Sequence, residues 1–292
     1  MTIGIPKAFL YYEHGVLWQR FFKELGCQVL TSPNTNEAVF LAGAKATNSE
    51  CCLPARVYMG HIKALLDKCD YILAPYASRE KGGHALCTRF WGIGDVLRHT
   101  FEKGDKFLHY PLHPKSERAG FYAMAKKIGY NTHTARRAYL AAKQDQDAHA
   151  KSQNQKQETA LESSGHRVML AGRPYVMHDP YIGGTVSRIL TELGCTVLYS
   201  DRCGSGVESH ASTVSPGLYW AHGREAIGAT VANKDKICGA VLLTVFPCAT
   251  DALQWEMATR NIRNLPITTI SLDGLHGDAG LETRLESFVD ML

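Results

Sequence analysis

Two adjacent cysteines, Cys51 and Cys52, stand before Leu53-Pro54 and an apolar run of helical period in the string ECCLPARVYMGHIKALL. Proline fits the first turn of a helix, where its missing N–H has no partner to lose, so Pro54 marks a helix opening. The free amides and the dipole of a helix N-terminus favour negative charge, and a thiol placed there is readily made a thiolate. Cys87 precedes TRFWGIGDVLRH and Cys248 precedes ATDALQWEMATR, so two more cysteines lie just ahead of expected helices. Thiolates in such places suit a soft metal or an iron–sulfur cluster. The chain has no C-x-x-C pair, which excludes zinc-ribbon, thioredoxin and ferredoxin signatures; on spacing alone, ordinary loop cysteines are the alternative.

The elements that must position these thiols emerge when the chain is laid on itself. At an offset of 168, FKELGCQVLTS (Phe22 to Ser32) faces LTELGCTVLYS (Leu190 to Ser200), with seven of eleven positions identical. Upstream, Gly4 and Pro6 face Gly172 and Pro174, and Gly15 faces Gly183; downstream, YILAP from Tyr71 faces GAVLL from Gly239. Each half opens with a short apolar strand and continues into an amphipathic helix. Val186, Ile189, Leu190 and Leu193 fall at i, i+3, i+4 and i+7 on one helix face. Gly26 and Gly194 end their helices, and the next strand follows. Strand–helix alternation of this kind predicts an α/β fold of two Rossmann-like lobes with parallel sheets. The expected division is residues 1–130, a helical segment over 131–166, and residues 167–292. The middle segment, rich in Ala, Gln and Lys, reads as a long exposed helix or helical hairpin, with a flexible linker as the alternative.

The repeat also sorts the nine cysteines, whose odd number argues against a fully paired disulfide framework. Cys27 and Cys195 match, as do Cys69 and Cys238, and all four sit at strand starts, where a small apolar residue packs. Ligands in open parallel sheets bind beyond the carboxyl ends of the strands. That edge is expected to gather Cys51, Cys52, Cys87 and Cys248 from three loops.

Lys plus Arg number 32 against 28 Asp plus Glu, and the excess of four is spread along the chain. No basic stripe points to nucleic acid or anionic lipid. The N-terminus carries no leader pattern and no apolar run reaches the ~18 residues of a membrane helix, so no membrane association and a cytoplasmic location are expected.

Several strings resemble proteins related to the 2-hydroxyacyl-CoA dehydratases and their activases. ECCLPARVYMGH is similar to that family's "acidic residue, small residue, CLP, basic residue, GH" element, and EKGGHALCTRFWGIGDVLRH to its glutamate-lysine, cysteine and G-x-x-D-x-x-R loop. AGRPYVMHDPYIGG resembles its GRPYH-x-DP loop, and YWAHGREAIGA, VFPCATDA and the closing TISLDGLHGDAGLETRLESFVDML are similar to it as well. The resemblance implies an oxygen-sensitive iron–sulfur cluster between the lobes, either one 4Fe–4S cube or a double cubane of 8Fe–9S type. Carried over residue by residue, its ligands are Cys52, Cys87 and Cys248, while Cys51 fills the small-residue slot. It further implies low-potential electrons from an ATP-dependent activase on a separate chain, a small-molecule substrate, and a homodimer. Where the family has Gly-Pro after its third cysteine, this chain has Ala249-Thr250, a departure that bears on loop geometry and cluster type. A fourth iron ligand is left open among a bridging sulfide, a substrate atom, water, Cys51 and Cys203.

Other candidates have quieter readings beside them. His61 lies nine residues beyond Cys52 on one helix, ~13 Å along its axis, so it is expected to make a hydrogen bond within the fold rather than to share a ligand with Cys52. Glu80, Lys81 and His84 flank Cys87, either as a solvated loop or with Lys81 supplying positive charge. Arg173, Tyr175, His178 and Asp179 follow the first strand of the second half, and Tyr11 and Tyr12 hold the comparable place in the first. The G-I-G at Gly92 to Gly94 lacks a third glycine and a preceding strand, and the chain lacks a Walker loop, so neither NAD binding nor ATP hydrolysis is expected. Against the iron–sulfur reading stands a two-lobed, non-catalytic module that binds a small molecule or a metal.

Overall fold

The structure is a computed structural model that describes residues 1–79, 83–112, 116–274 and 279–292. Its first half contains β1 (Thr2–Ile5), α1 (Tyr11–Glu24), β2 (Gln28–Thr31), α2 (Glu37–Ala44), α3 (Leu53–Leu65), β3 (Tyr71–Leu73), α4 (Thr88–Thr100), β4 (Phe107–Leu108) and α5 (Glu117–Lys127). A 30-residue helix, α6 (Thr132–Leu161), follows. The second half contains β5 (Arg167–Ala171), α7 (Pro174–Met177), α8 (Gly184–Glu192), β6 (Thr196–Tyr199), α9 (Ala221–Asn233), β7 (Gly239–Val245), α10 (Ala249–Asn261), β8 (Ile267–Leu272) and α11 (Ala279–Val289). Each half forms a four-stranded parallel sheet, in the order β2-β1-β3-β4 and β6-β5-β7-β8. These are two Rossmann-like lobes. By contacts the chain divides into one unit of Met1–Ser49 with Ala55–His149 and another of Glu50–Pro54 with Ala150–Leu292, so α6 runs through the boundary.

The shared string at the end of α1 and α8 is a helix stop. Gly26 and Gly194 take φ of 80° and 81°, left-handed values that a Cβ disfavours. The next amide then reaches back five residues, Cys27 N–H to Phe22 O at 3.0 Å and Cys195 N–H to Leu190 O at 2.9 Å. Cys27 and Cys195 are buried at these stops, beside helix faces built from Leu17, Trp18, Phe21 and Phe22 in one lobe and Val186, Ile189 and Leu190 in the other.

The repeat is not uniform. Val29 and Val197 stand 168 residues apart, as do Tyr71 and Gly239, yet their shared partners Ile3 and Val168 stand 165 apart. Sheet pairing therefore sets Gly4 opposite Met169, and the pairing of Gly4 with Gly172 and Pro6 with Pro174 expected from sequence is corrected by three residues. The second lobe has three more residues between its first strand and its main helix. They accommodate the short helix α7, and Arg173 and Tyr175 come with it.

Helix α6 is anchored by side chains at both ends. Ala135, Ala138 and Ala142 form its buried stripe. The Gln146 amide accepts from Leu17 N–H at 3.0 Å and donates to Glu13 O at 2.8 Å. Further on, Gln157 accepts from Tyr199 N–H at 2.8 Å and donates to Tyr199 O at 2.6 Å, pairing the edge strand β6 as a neighbouring strand would. Among the described residues no helix is long and apolar enough to cross a membrane.

Candidate functional site

In the second sheet the connections diverge at the carboxyl ends of β5 and β7, since β6 lies to one side and β8 to the other. Such a switch point opens a crevice where loops meet. Arg173 arrives there two residues beyond β5, and Cys248 three residues beyond β7, as the N-cap of α10. The Arg173 guanidinium is buried and fully engaged. Nε donates to both carboxylate oxygens of Asp251, at 2.9 and 3.1 Å, and Nη1 donates to the Tyr175 hydroxyl at 2.8 Å. Nη2 donates to Asp251 at 2.6 Å and to Thr250 Oγ1 at 2.8 Å, and it lies 3.4 Å from Cys248 Sγ. Thr244 adds a hydroxyl donor to Asp251 at 3.2 Å. A buried ion pair with this many partners offsets the loss of water around both charges.

Charge at this site has a direction. Burial works against the Arg173 cation, but Tyr175, Asp251 and Cys248 outweigh it and hold its pKa well above the usual value. Burial pushes the Cys248 thiol up; Arg173 pulls it down, Asp251 raises it, and Thr250 and the Asp251 backbone amide lower it. Burial is the largest of these effects, and the thiol's pKa lies above its usual value. A ligand that binds the sulfur must displace its proton. A cleft of about 490 Å³ opens beside Cys248, lined among others by Phe246, Ala252, Trp255, Glu256, Thr269 and Ser271.

Cys52 immediately precedes α3, within the Glu50–Pro54 stretch that divides with the second unit, and Cys87 in the first lobe is the N-cap of α4; both are half-buried and outside any disulfide. The helix opens at Leu53, with Pro54 as its second residue, within the first turn that proline tolerates. Phe9 fixes both helices: its ring stacks on Tyr58 of α3 at 5.0 Å and meets Phe90 of α4 edge-on at 4.9 Å. Helix α3 also crosses α2 backbone to backbone. A Cβ on Gly43 would stand 1.8 Å from Arg56 O, and one on Gly60 would stand 2.0 Å from Val39 O. His61 is buried between Ser32 Oγ, 2.8 Å from Nδ1, and Thr35 Oγ1, 2.9 Å from Nε2, and burial lowers its pKa to about 4. These two hydroxyl partners make it a neutral histidine held within the fold.

The remaining candidates divide. His178 Nε2 meets Asp201 Oδ2 at 2.8 Å, and Asp179 accepts from the Tyr181 and Ile182 amides, closing the turn after α7. Tyr11 and Tyr12 pack edge to face at 5.7 Å. Cys69 packs against Gly4, where a Cβ would lie 2.8 Å from its sulfur. Cys203 is held by Gln157 Nε2 at 3.0 Å, and burial pushes its thiol up to about 11, so it is a packing residue. Cys238 is half-buried and Cys51 likewise. His84 is half-buried, and Glu80 and Lys81 lie outside the described residues, as does part of the closing string that resembles the dehydratase family. Among the described residues no group of three or more His, Cys, Asp or Glu stands together as a metal site. Sequence reasoning passed over Asp251 and Thr250; their signal was a carboxylate and a hydroxyl in the first turn of a helix that a cysteine opens.

Comparison with known families places the chain. The model of the CoA enzyme activase uncharacterised domain matches residues 2–202. The chain belongs to this family. The match covers Cys52, Cys87 and Arg173 and ends before Cys248 and Asp251, so the activase-domain family spans the first lobe, α6 and the first part of the second lobe. No curated protein matches the chain.

Proposed function

We propose that this activase-domain protein is an iron–sulfur component of a CoA-enzyme system of the 2-hydroxyacyl-CoA dehydratase type. It takes low-potential electrons from an ATP-dependent activase on a separate chain and passes them to a small molecule. The observation that carries the reading is Cys248, a free thiol at a sheet switch point and a helix N-terminus, with the buried Arg173 cation against its sulfur. The chemistry of the donor set supports the reading: Cys52, Cys87 and Cys248 are half-buried thiols outside any disulfide, and each adjoins a helix start. These three residues would hold a cluster of 4Fe–4S or double-cubane type, which supplies one-electron chemistry at low potential.

The chain's own residues do the rest. Phe9, Gly60 and His61 fix the helix that follows Cys52, and Phe90 fixes the helix that follows Cys87. Arg173 supplies a positive charge that a set of anionic sulfurs requires, and Asp251 keeps that charge in place. The cleft beside Cys248 is mostly apolar, with Glu256 and hydroxyls on β7 and β8, and has no lysine or arginine among its described lining residues, so it suits a compact molecule without a polyphosphate tail.

Anaerobic reconstitution of single variants tests the ligand set. Cys52→Ser, Cys87→Ser and Cys248→Ser each lower iron and acid-labile sulfide per chain, and Cys27→Ser does not. Loss on Cys27→Ser with retention in the other three would refute the assignment.

A further inference from the structure

The loop around Cys248 supplies more than a place for a sulfur. Thr250 Oγ1 accepts from Arg173 Nη2 at 2.8 Å, which leaves its own hydroxyl hydrogen for Cys248 Sγ, 3.3 Å away. Arg173 Nη2 itself lies 3.4 Å from the same sulfur. Two side-chain donors thus converge on one sulfur. The arrangement is held from behind, because Asp251 bonds Nε and Nη2 of the guanidinium and Tyr175 bonds Nη1. The residues that differ from the family's Gly-Pro are part of the cradle: a proline at 250 would carry no hydroxyl.

On the reading of Cys248 as a ligand to an iron–sulfur group, we infer that Arg173 and Thr250 are positioning residues that set the reduction potential of that group. Hydrogen bonds to a ligating sulfur draw off negative charge, and a one-electron reduction adds negative charge, so each donor makes the reduced state easier to reach. Asp251 and Tyr175 act through Arg173.

The test is a midpoint-potential titration of the reconstituted protein with titanium(III) citrate, followed by electron paramagnetic resonance. Arg173→Gln alone would leave the Asp251 carboxylate buried without its cation, so the variant used is the double Arg173→Gln/Asp251→Asn. It removes one charge of each sign and isolates the lost donor. Reduction is expected to become at least tenfold less favourable, 59 mV more negative for a one-electron couple. Thr250→Val keeps the ion pair and is expected to shift the potential in the same direction by less. Both variants titrating with the wild-type potential would overturn the inference. If the double variant takes up no iron, Thr250→Val decides: an unmoved midpoint overturns the inference and a more negative one supports it. A wild-type protein that takes up no iron refutes the proposed function itself, which separates the two failures.

Discussion

Gly60→Ala is a perturbation for which the structure and ordinary helix propensity predict opposite signs. In an open helix interior, alanine in place of glycine stabilises by about 1 kcal/mol, because it restricts the unfolded chain and favours helix. At Gly60 the added methyl would stand 2.0 Å from Val39 O, 2.8 Å from Val39 C and 3.0 Å from Val39 Cγ1. Two of these are backbone atoms of α2, so no side-chain rotation relieves the contact. A relaxed carbon–oxygen contact needs more than 3 Å, so α2 and α3 must part by over 1 Å, opening the buried packing of Val39, Phe40 and Val57. Overpacking of this kind costs about 1–3 kcal/mol, and here the loss extends along a helix crossing. The expected net effect is destabilisation by about 2 kcal/mol, read as a lower urea midpoint at unchanged slope. An unchanged or raised midpoint would refute the backbone contact and, with it, the account of how α3 is fixed.

Other perturbations follow from the same contacts. Asp251→Ala leaves the Arg173 cation buried and unpaired, and is expected to cost about 3–5 kcal/mol in chemical denaturation; Asp251→Asn should cost less, because it retains an acceptor. His61 has a folded pKa lowered to about 4 from 6.5, so the unfolded chain binds the extra proton first. The stability contributed by neutral His61 is fully present above pH 6.5 and is lost as pH falls towards 4, by about 3 kcal/mol. Denaturation curves across that window should show the loss, and His61→Gln should flatten it. Native alkylation with iodoacetamide at pH 8, read by mass spectrometry, should spare buried Cys27, Cys69 and Cys195 and the high-pKa Cys203. Rapid labelling of Cys203 would contradict its packing role.

The two-lobed fold was legible because the duplicated string carries its own geometry. An apolar face followed by Gly-Cys encodes a helix, a left-handed stop and a strand, and both copies form that way. The three-residue slip at β1 and β5 was not legible, since glycines and prolines near a strand end align by type whichever register the sheet takes. Helix rise alone was enough to separate His61 from Cys52 as a shared ligand, but its partners Ser32 and Thr35 were not legible. The partners of Cys248 were not, because Arg173 and Asp251 lie 78 positions apart in sequence and meet only when parallel pairing brings the ends of β5 and β7 together. A buried carboxylate in a helix's first turn looks like an ordinary helix-start residue until its cation is in place. Nor could spacing show that burial raises the Cys248 thiol's pKa, since burial is set by how the folded loop packs.

Iron and acid-labile sulfide per chain, measured after anaerobic purification and reconstitution, test the central claim most directly. The account predicts a brown protein with at least four iron and four sulfide per chain, on the order expected of one cubane. A colourless protein with neither would contradict it and leave a two-lobed binding module in its place.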